Sequence, residues 1–157
     1  MGNYRYTLSR RWIGDGGLVN FVMLNPSTAD DVFDDATVRK CCGFGKSWGY
    51  SALVVTNLFA FRATDPRELK NLSRALAVGP ENGAAIMQAA RDADLVVCAW
   101  GNFGGFMARD AEVCDLLGWR DLGCIGRTRA GNPVHPSRVA YTSAPESYRL
   151  TVLAAVS

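Results

Sequence analysis

The stretch FVMLNPSTAD, residues 21 to 30, runs from four apolar residues into Asn25-Pro26 and then into hydroxyls and carboxylates. An Asn fixed at a strand end by the following Pro presents an amide, both donor and acceptor, above these groups. Ser27 and Thr28 add hydroxyls. Asp30, Asp31, Asp34 and Asp35 offer a general base, although helix capping accounts for at least one of them. Phe33 either stacks on a base or staples the helix that follows. A second Asn, Asn57, ends the run LVVTN. Its amide presents both a donor and an acceptor, as the edge of a pyrimidine or purine requires, and the same residue type also caps strand ends.

The only His, His135, stands in RAGNPVHPSR between Pro133 and Pro136, which restrict the backbone and hold the imidazole in place. Arg127, Arg129 and Arg138 flank it and suit a phosphate backbone. An ordinary exposed loop is the alternative. Gly101-Asn102-Phe103-Gly104-Gly105 either cradles a phosphate on backbone N–H groups or makes a tight strand-to-helix turn. Gly45-Lys46-Ser47 is not a P-loop, because Lys40 stands where the first Gly belongs. G-x-S-x-G is absent, so no serine-nucleophile elbow is present. Five cysteines without a C-x-x-C pair, and one His, argue against a metal site and for small buried apolar residues.

The elements that must position these groups alternate. Residues 4–8 suggest an early edge strand, and 18–24 a first core strand. Residues 34–48 read as a helix with an acidic start and Gly49 at its end. A second strand covers 52–55 with Thr56-Asn57 at its end, and a helix opens at Asp65-Pro66. Helices at 80–91 and 106–117 bracket a third strand at 94–100, followed by a short strand at 122–125. Residues 134–141 are a loop or strand edge. This order favours a single α/β domain, a three-layer α/β/α sandwich with a mostly parallel sheet. Ligands of such sheets bind beyond the C-terminal strand ends, so Asn25, Asn57 and Gly101 are expected to converge in one crevice.

Composition sets the outer bounds. A chain of 157 residues, 48% hydrophobic and 20% charged, suits one domain with a real core. The formal charge of +2 gives no broad electrostatic drive toward nucleic acid and leaves only local basic patches. No apolar run reaches the roughly 20 residues of a membrane span. The N-terminal residues lack a secretory apolar stretch, and Tyr6 breaks the myristoylation pattern. A cytoplasmic protein without a membrane partner is expected.

VMLNPSTADDVFDDATVRKCCGFGKSWGYSALVVTNLFAFRATDPREL, then AWG, then GNPVHP, resembles the bacterial and phage family catalogued as domain of unknown function 1643 over nearly the whole chain. That family is defined by sequence rather than by an activity. A more remote likeness is to the uracil-DNA glycosylase superfamily. MLNPS is similar to its G-I-N-P-G motif, which implies that Asn25 positions the attacking water. LVVTN resembles the strand whose terminal Asn reads the base, and HPS resembles the start of H-P-S-P, whose His stabilises the departing base and whose loop enters DNA. Met23 and Ser27 replace the two glycines, and Arg138 replaces the second proline.

This likeness implies a glycosylase-like fold and hydrolysis of the N-glycosidic bond of a flipped, natural or modified, base. Asn25 and His135 would be catalytic. Pro26, Ser27, Phe33, Asn57, Gly101 and Ser137 would contact substrate, and Arg127, Arg129 and Arg138 the nucleic-acid backbone. No cofactor or metal is implied. The partner is nucleic acid, DNA before RNA, or a free nucleotide. Two other classes compete: a non-catalytic nucleotide- or modified-base-binding protein using the same crevice, and an interaction module in which four Trp and seven Phe serve packing and a partner surface.

Overall fold

The computed structural model describes residues 2–27 and 35–150. Its described residues form a mixed α/β fold around one six-stranded sheet, in the order β1-β3-β2-β4-β5-β6. The strands are β1 (Leu8–Arg11), β2 (Leu18–Met23), β3 (Ala52–Asn57), β4 (Leu95–Cys98), β5 (Gly123–Cys124) and β6 (Glu146–Ser147). The helices are α1 (Ala36–Ser47), α2 (Arg74–Val78), α3 (Asn82–Asp92) and α4 (Arg109–Leu116).

The expected mostly parallel sheet is corrected to a mixed one. The inner pairings β3–β2, β2–β4 and β4–β5 are parallel, whereas β1–β3 and β5–β6 are antiparallel. Both antiparallel strands are short edges, one bearing two arginines and the other fully exposed, so neither carries the apolar run by which core strands are read. The early strand also starts later than expected: Tyr4 makes only an isolated bridge to Phe61, and β1 begins at Leu8.

The inner strands are apolar on both sides because both sides are covered. In β2, Val19, Phe21 and Met23 join one cluster with Leu53 and Val55 of β3 and with Val38, Cys41 and Phe44 of α1. Val22 joins the other cluster, with Val96 and Cys98 of β4, Ile86 and Ala90 of α3, and Val113 of α4. A fully buried Phe or Val contributes about 1.5–3 kcal/mol, so α1 is held chiefly by Val38 and Phe44. Its start is set by Asp35, whose carboxylate accepts the Val38 N–H at 2.8 Å.

The expected helix over 106–117 is shorter. Met107 and Ala108 have φ of 56° and 54°, a left-handed pair at the end of the 3-10 segment (Asn102–Ala108) directly before α4. No described helix is long and apolar enough to cross a membrane.

Candidate functional site

β2 and β4 are neighbours in the sheet although α1, β3, α2 and α3 lie between them in the chain. From β2 the chain crosses to β3 on one side and then back to β4 on the other. The strand order therefore reverses between β2 and β4, the place where open α/β sheets bind ligands. A cavity of about 220 Å³ opens there. Asn25 and Ser27 reach it from the end of β2, Asp35 and Thr37 from the start of α1, Trp100 from beyond β4, and His135 from its loop. Thr64 and the buried Arg5 complete its polar lining.

Asn25 is oriented by its surroundings. Its Nδ2 donates to the Ala63 carbonyl at 2.7 Å and to the Pro26 carbonyl at 3.1 Å. Both partners only accept, so the amide nitrogen must face them. Its Oδ1 has no partner among the described residues and is the acceptor Asn25 offers to the cavity. Pro26 is buried, and its carbonyl also accepts the Ala63 N–H at 3.2 Å, which ties the Asn-Pro pair to the chain after β3.

His135 is fixed as firmly. Its Nδ1 accepts the Ser137 backbone N–H at 3.2 Å and lies 2.7 Å from Ser137 Oγ. A backbone N–H only donates, so Nδ1 is unprotonated and the neutral ring carries its proton on Nε2. Burial pushes the imidazole pKa below its ordinary value, and Arg138 adds to this, against an opposing pull from Asp35. The ring is therefore a neutral Nε2–H donor at pH 7.

A second, more open recess of about 600 Å³ adjoins the first, and His135 lines both. Gly101, Asn102, Thr128, Ser137 and Arg138 line this groove. Gly101 has φ of 73°, which favours glycine, and its N–H donates to the Pro133 carbonyl at 2.8 Å. Asn102 Oδ1 accepts from Thr128 Oγ1 at 2.6 Å and from Asn132 Nδ2 at 3.0 Å. These bonds hold the His135 loop against the end of β4. Gly104 is small for packing: a Cβ there would lie 2.0 Å from Trp100 Cδ1.

The structure thus brings together Asn25, Ser27 and His135, and places Gly101, Ser137 and Arg138 beside them. Asn57 is not on either recess. It is buried at the end of β3, opposite Met23 in register, and both polar atoms of its side chain lack partners among the described residues. Asn82 and Arg109 fix the backbone there, Asn82 donating to the Asn57 and Leu58 carbonyls and Arg109 to that of Leu58. Arg127 is engaged elsewhere: it donates to the Gly131 and Arg149 carbonyls and lies over the Tyr148 ring. Arg129 is exposed. Phe33, with Thr28, Asp30, Asp31 and Asp34, lies outside the described residues.

Sequence reasoning missed Arg5, Thr37 and Thr64, which have no local pattern to mark them. It met Asp35 only as one of a group of aspartates.

A family model matches residues 5–137, a span that holds every residue lining the cavity. The chain belongs to the family described as "Protein of unknown function (DUF1643)". No curated protein and no solved structure matches it. In this member of the DUF1643 family, the cavity offers a fixed amide acceptor, a carboxylate and a neutral imidazole donor. Such a set can hydrogen-bond a water and donate to a ligand oxygen.

Proposed function

We propose that this crevice receives a base turned out of a DNA strand and hydrolyses its N-glycosidic bond, in a fold of the three-layer uracil-DNA glycosylase type acting in the cytoplasm. The observation that carries the reading is that Asn25 and His135 line one small cavity where the strand order reverses. Glycosidic cleavage develops positive charge on the sugar and negative charge on the base. Asn25 Oδ1 holds the water, and His135 Nε2–H stabilises the charge collecting on a base oxygen.

Pro26 fixes Asn25, and Ser27 lies at the cavity wall. Asn57, buried at the end of β3 away from both recesses, takes no part in this reading. Phe33 is the stacking residue in this reading. Flipping a base costs a few kcal/mol, least for a damaged or mismatched one. Phosphate contacts offset part of that, from Arg138 beside the groove and from the exposed Arg129.

The test is release of free base, detected by mass spectrometry, from single- and double-stranded oligonucleotides carrying uracil, mismatched thymine or modified pyrimidines. Release by wild type and its loss in folded Asn25→Ala support the reading. No release from any substrate refutes it.

A non-catalytic nucleotide- or modified-base-binding role is the second reading. It is favoured by Met23 and Ser27 in place of glycines and by the near-neutral charge. Salt separates the two, because strand binding through several phosphates weakens steeply with ionic strength and small-ligand binding weakens little.

A further inference from the structure

We infer that Tyr141 is a positioning residue for His135: clasped over Gly43 of α1, its ring holds the C-terminal side of the His135 loop and so sets where the imidazole stands in the cavity. This rests on the reading of His135 as a group that acts on a bound base. It adds a residue outside the crevice on which that action depends.

The loop is held on both sides. Before His135, the Pro133 carbonyl accepts the Gly101 N–H at 2.8 Å and the Val134 N–H donates to the Gly126 carbonyl at 3.0 Å, which ties that side to the end of β4. After His135, the 3-10 turn Pro136–Arg138 is closed by the Arg138 N–H, which donates to the His135 carbonyl at 3.0 Å. The chain then runs along α1. Val139 packs against the cluster of Val38, Cys41 and Phe44. The Tyr141 ring centroid lies 5.4 Å from that of Phe44, and Lys40 Nζ stands 4.2 Å from the Tyr141 centroid, a cation–π contact. Trp48 Nε1–H donates to the Ser143 carbonyl at 3.1 Å. Lys40, Phe44 and Trp48 follow one another at helical spacing along α1 and its C-cap, so they form one stripe beneath the segment.

Gly43 lies beside this stripe, and glycine is unfavourable in a helix interior. Contact explains it: a Cβ at Gly43 would stand 2.3 Å from Tyr141 Cε1. Only a glycine lets the ring come so close. Tyr141 is 49% exposed, so it is no core residue, and this helix face is what holds it. The start of the same helix supplies Asp35, Thr37 and Val38 to the cavity that His135 lines. One rigid element therefore carries both a wall of the cavity and the clasp on the loop facing it. Releasing the clasp lets water reach the imidazole. Burial is the main cause that keeps its pKa low, with Arg138 acting in the same direction and Asp35 against it, so a loosened ring titrates higher.

The experiment compares wild type with Tyr141→Ala and Tyr141→Phe. The ring resonance of the single His is titrated by NMR, and the rate of base release from the oligonucleotides is measured. Tyr141→Phe keeps the ring and is expected to match wild type in both. In Tyr141→Ala the His135 midpoint is expected to rise toward the ordinary value of about 6.5, and release to slow by about 10²-fold, the loss that a misplaced group brings. Thermal unfolding checks that the variants are folded. Gly43→Ala perturbs the contact from the helix side and is expected to raise the midpoint and lower the unfolding temperature. In the Tyr141→Ala background the same methyl meets no ring and only favours the helix, so there it is expected to raise the unfolding temperature. If Tyr141→Ala does not fold, Gly43→Ala carries the midpoint test.

A midpoint unmoved in the variant measured overturns the inference, and so does a Gly43→Ala substitution that raises the unfolding temperature in both backgrounds. A raised midpoint with unchanged release leaves the clasp standing and refutes the use of His135 in base release. If wild type releases nothing from any substrate, the base-release reading fails, and the midpoints still decide the clasp.

Discussion

Replacing Asn25 by Asp changes one atom type at a position where the structure demands a donor. The Asn25 amide nitrogen faces two carbonyl oxygens, at 2.7 and 3.1 Å, and an ionised carboxylate has no hydrogen for either. Asn25→Ala removes both hydrogen bonds, each worth about 0.5–1.5 kcal/mol net, so it is expected to destabilise the fold by about 1–3 kcal/mol. For a chain of this length each kcal/mol corresponds to about 2–4 °C in Tm. Asn25→Asp is expected to be worse than Asn25→Ala at pH 7, because acceptor then faces acceptor.

The order changes with acid. The introduced carboxyl has a folded-state pKa raised above its unfolded value of about 3.9, since only its protonated form donates to Ala63. Its stabilising contribution is therefore complete below the unfolded pKa and is lost as pH rises through the folded one. The deficit of Asn25→Asp relative to wild type should shrink steadily as pH falls from 7 toward 4, while that of Asn25→Ala should not. Urea unfolding of the three proteins across this range, with m-values compared, measures it. Equal stability of Asn25→Asp and wild type at pH 7 would refute the fixed amide orientation, and with it the assignment of Oδ1 to the cavity.

His135 should titrate below 6.5 by NMR. Its contribution to stability is present above 6.5 and is lost as pH falls from there through the lower folded pKa, because the unfolded chain then binds more protons; a midpoint at or above 6.5 contradicts this. Gly104→Ala should cost about 1–3 kcal/mol by forcing the Trp100 ring aside, whereas Gly105→Ala, whose added Cβ meets nothing nearer than Asp110 Oδ2 at 3.8 Å, should stay within about 0.5 kcal/mol; equal effects in thermal unfolding would contradict the packing. Asn82→Ala should lose about 1–3 kcal/mol, since the Asn57 carbonyl is left without the bond the side chain supplied; an unchanged urea midpoint would show that bond to be dispensable.

The parallel strands were legible because each is an apolar run stopped by a polar or small residue: Met23 before Leu24-Asn25, Thr56-Asn57, and Cys98 before Gly101. The start of α1 was legible to within two residues, with Asp35 as cap rather than inside the helix, whereas the helix expected to open at Asp65-Pro66 is only a 3-10 turn (Pro66–Asn71). The edges were not legible. β1 buries only Leu8, β6 buries nothing, and α2 has five residues, too few to show a period. The break at Met107–Ala108 was invisible because neither residue type favours the left-handed region, and only surrounding packing imposes it.

At the site, Asn25 and His135 were marked by adjacent prolines, which constrain backbone locally. Asn57 was marked as a strand end, but strand alternation turned it into the core rather than onto the cavity. Arg5 reaches the cavity from far away in the chain and has no local signature.

In the proposed function, nucleic acid is recognised in the crevice at the ends of β2 and β4. The most direct measurement uses the single His as a reporter, following its ring resonance while a uracil-containing single-stranded oligonucleotide is added to folded Asn25→Ala, which binds without turnover. A saturable shift at His135 is expected, absent with an abasic oligonucleotide of the same length. Binding that leaves the His135 resonance unmoved, or no binding at all, would contradict it.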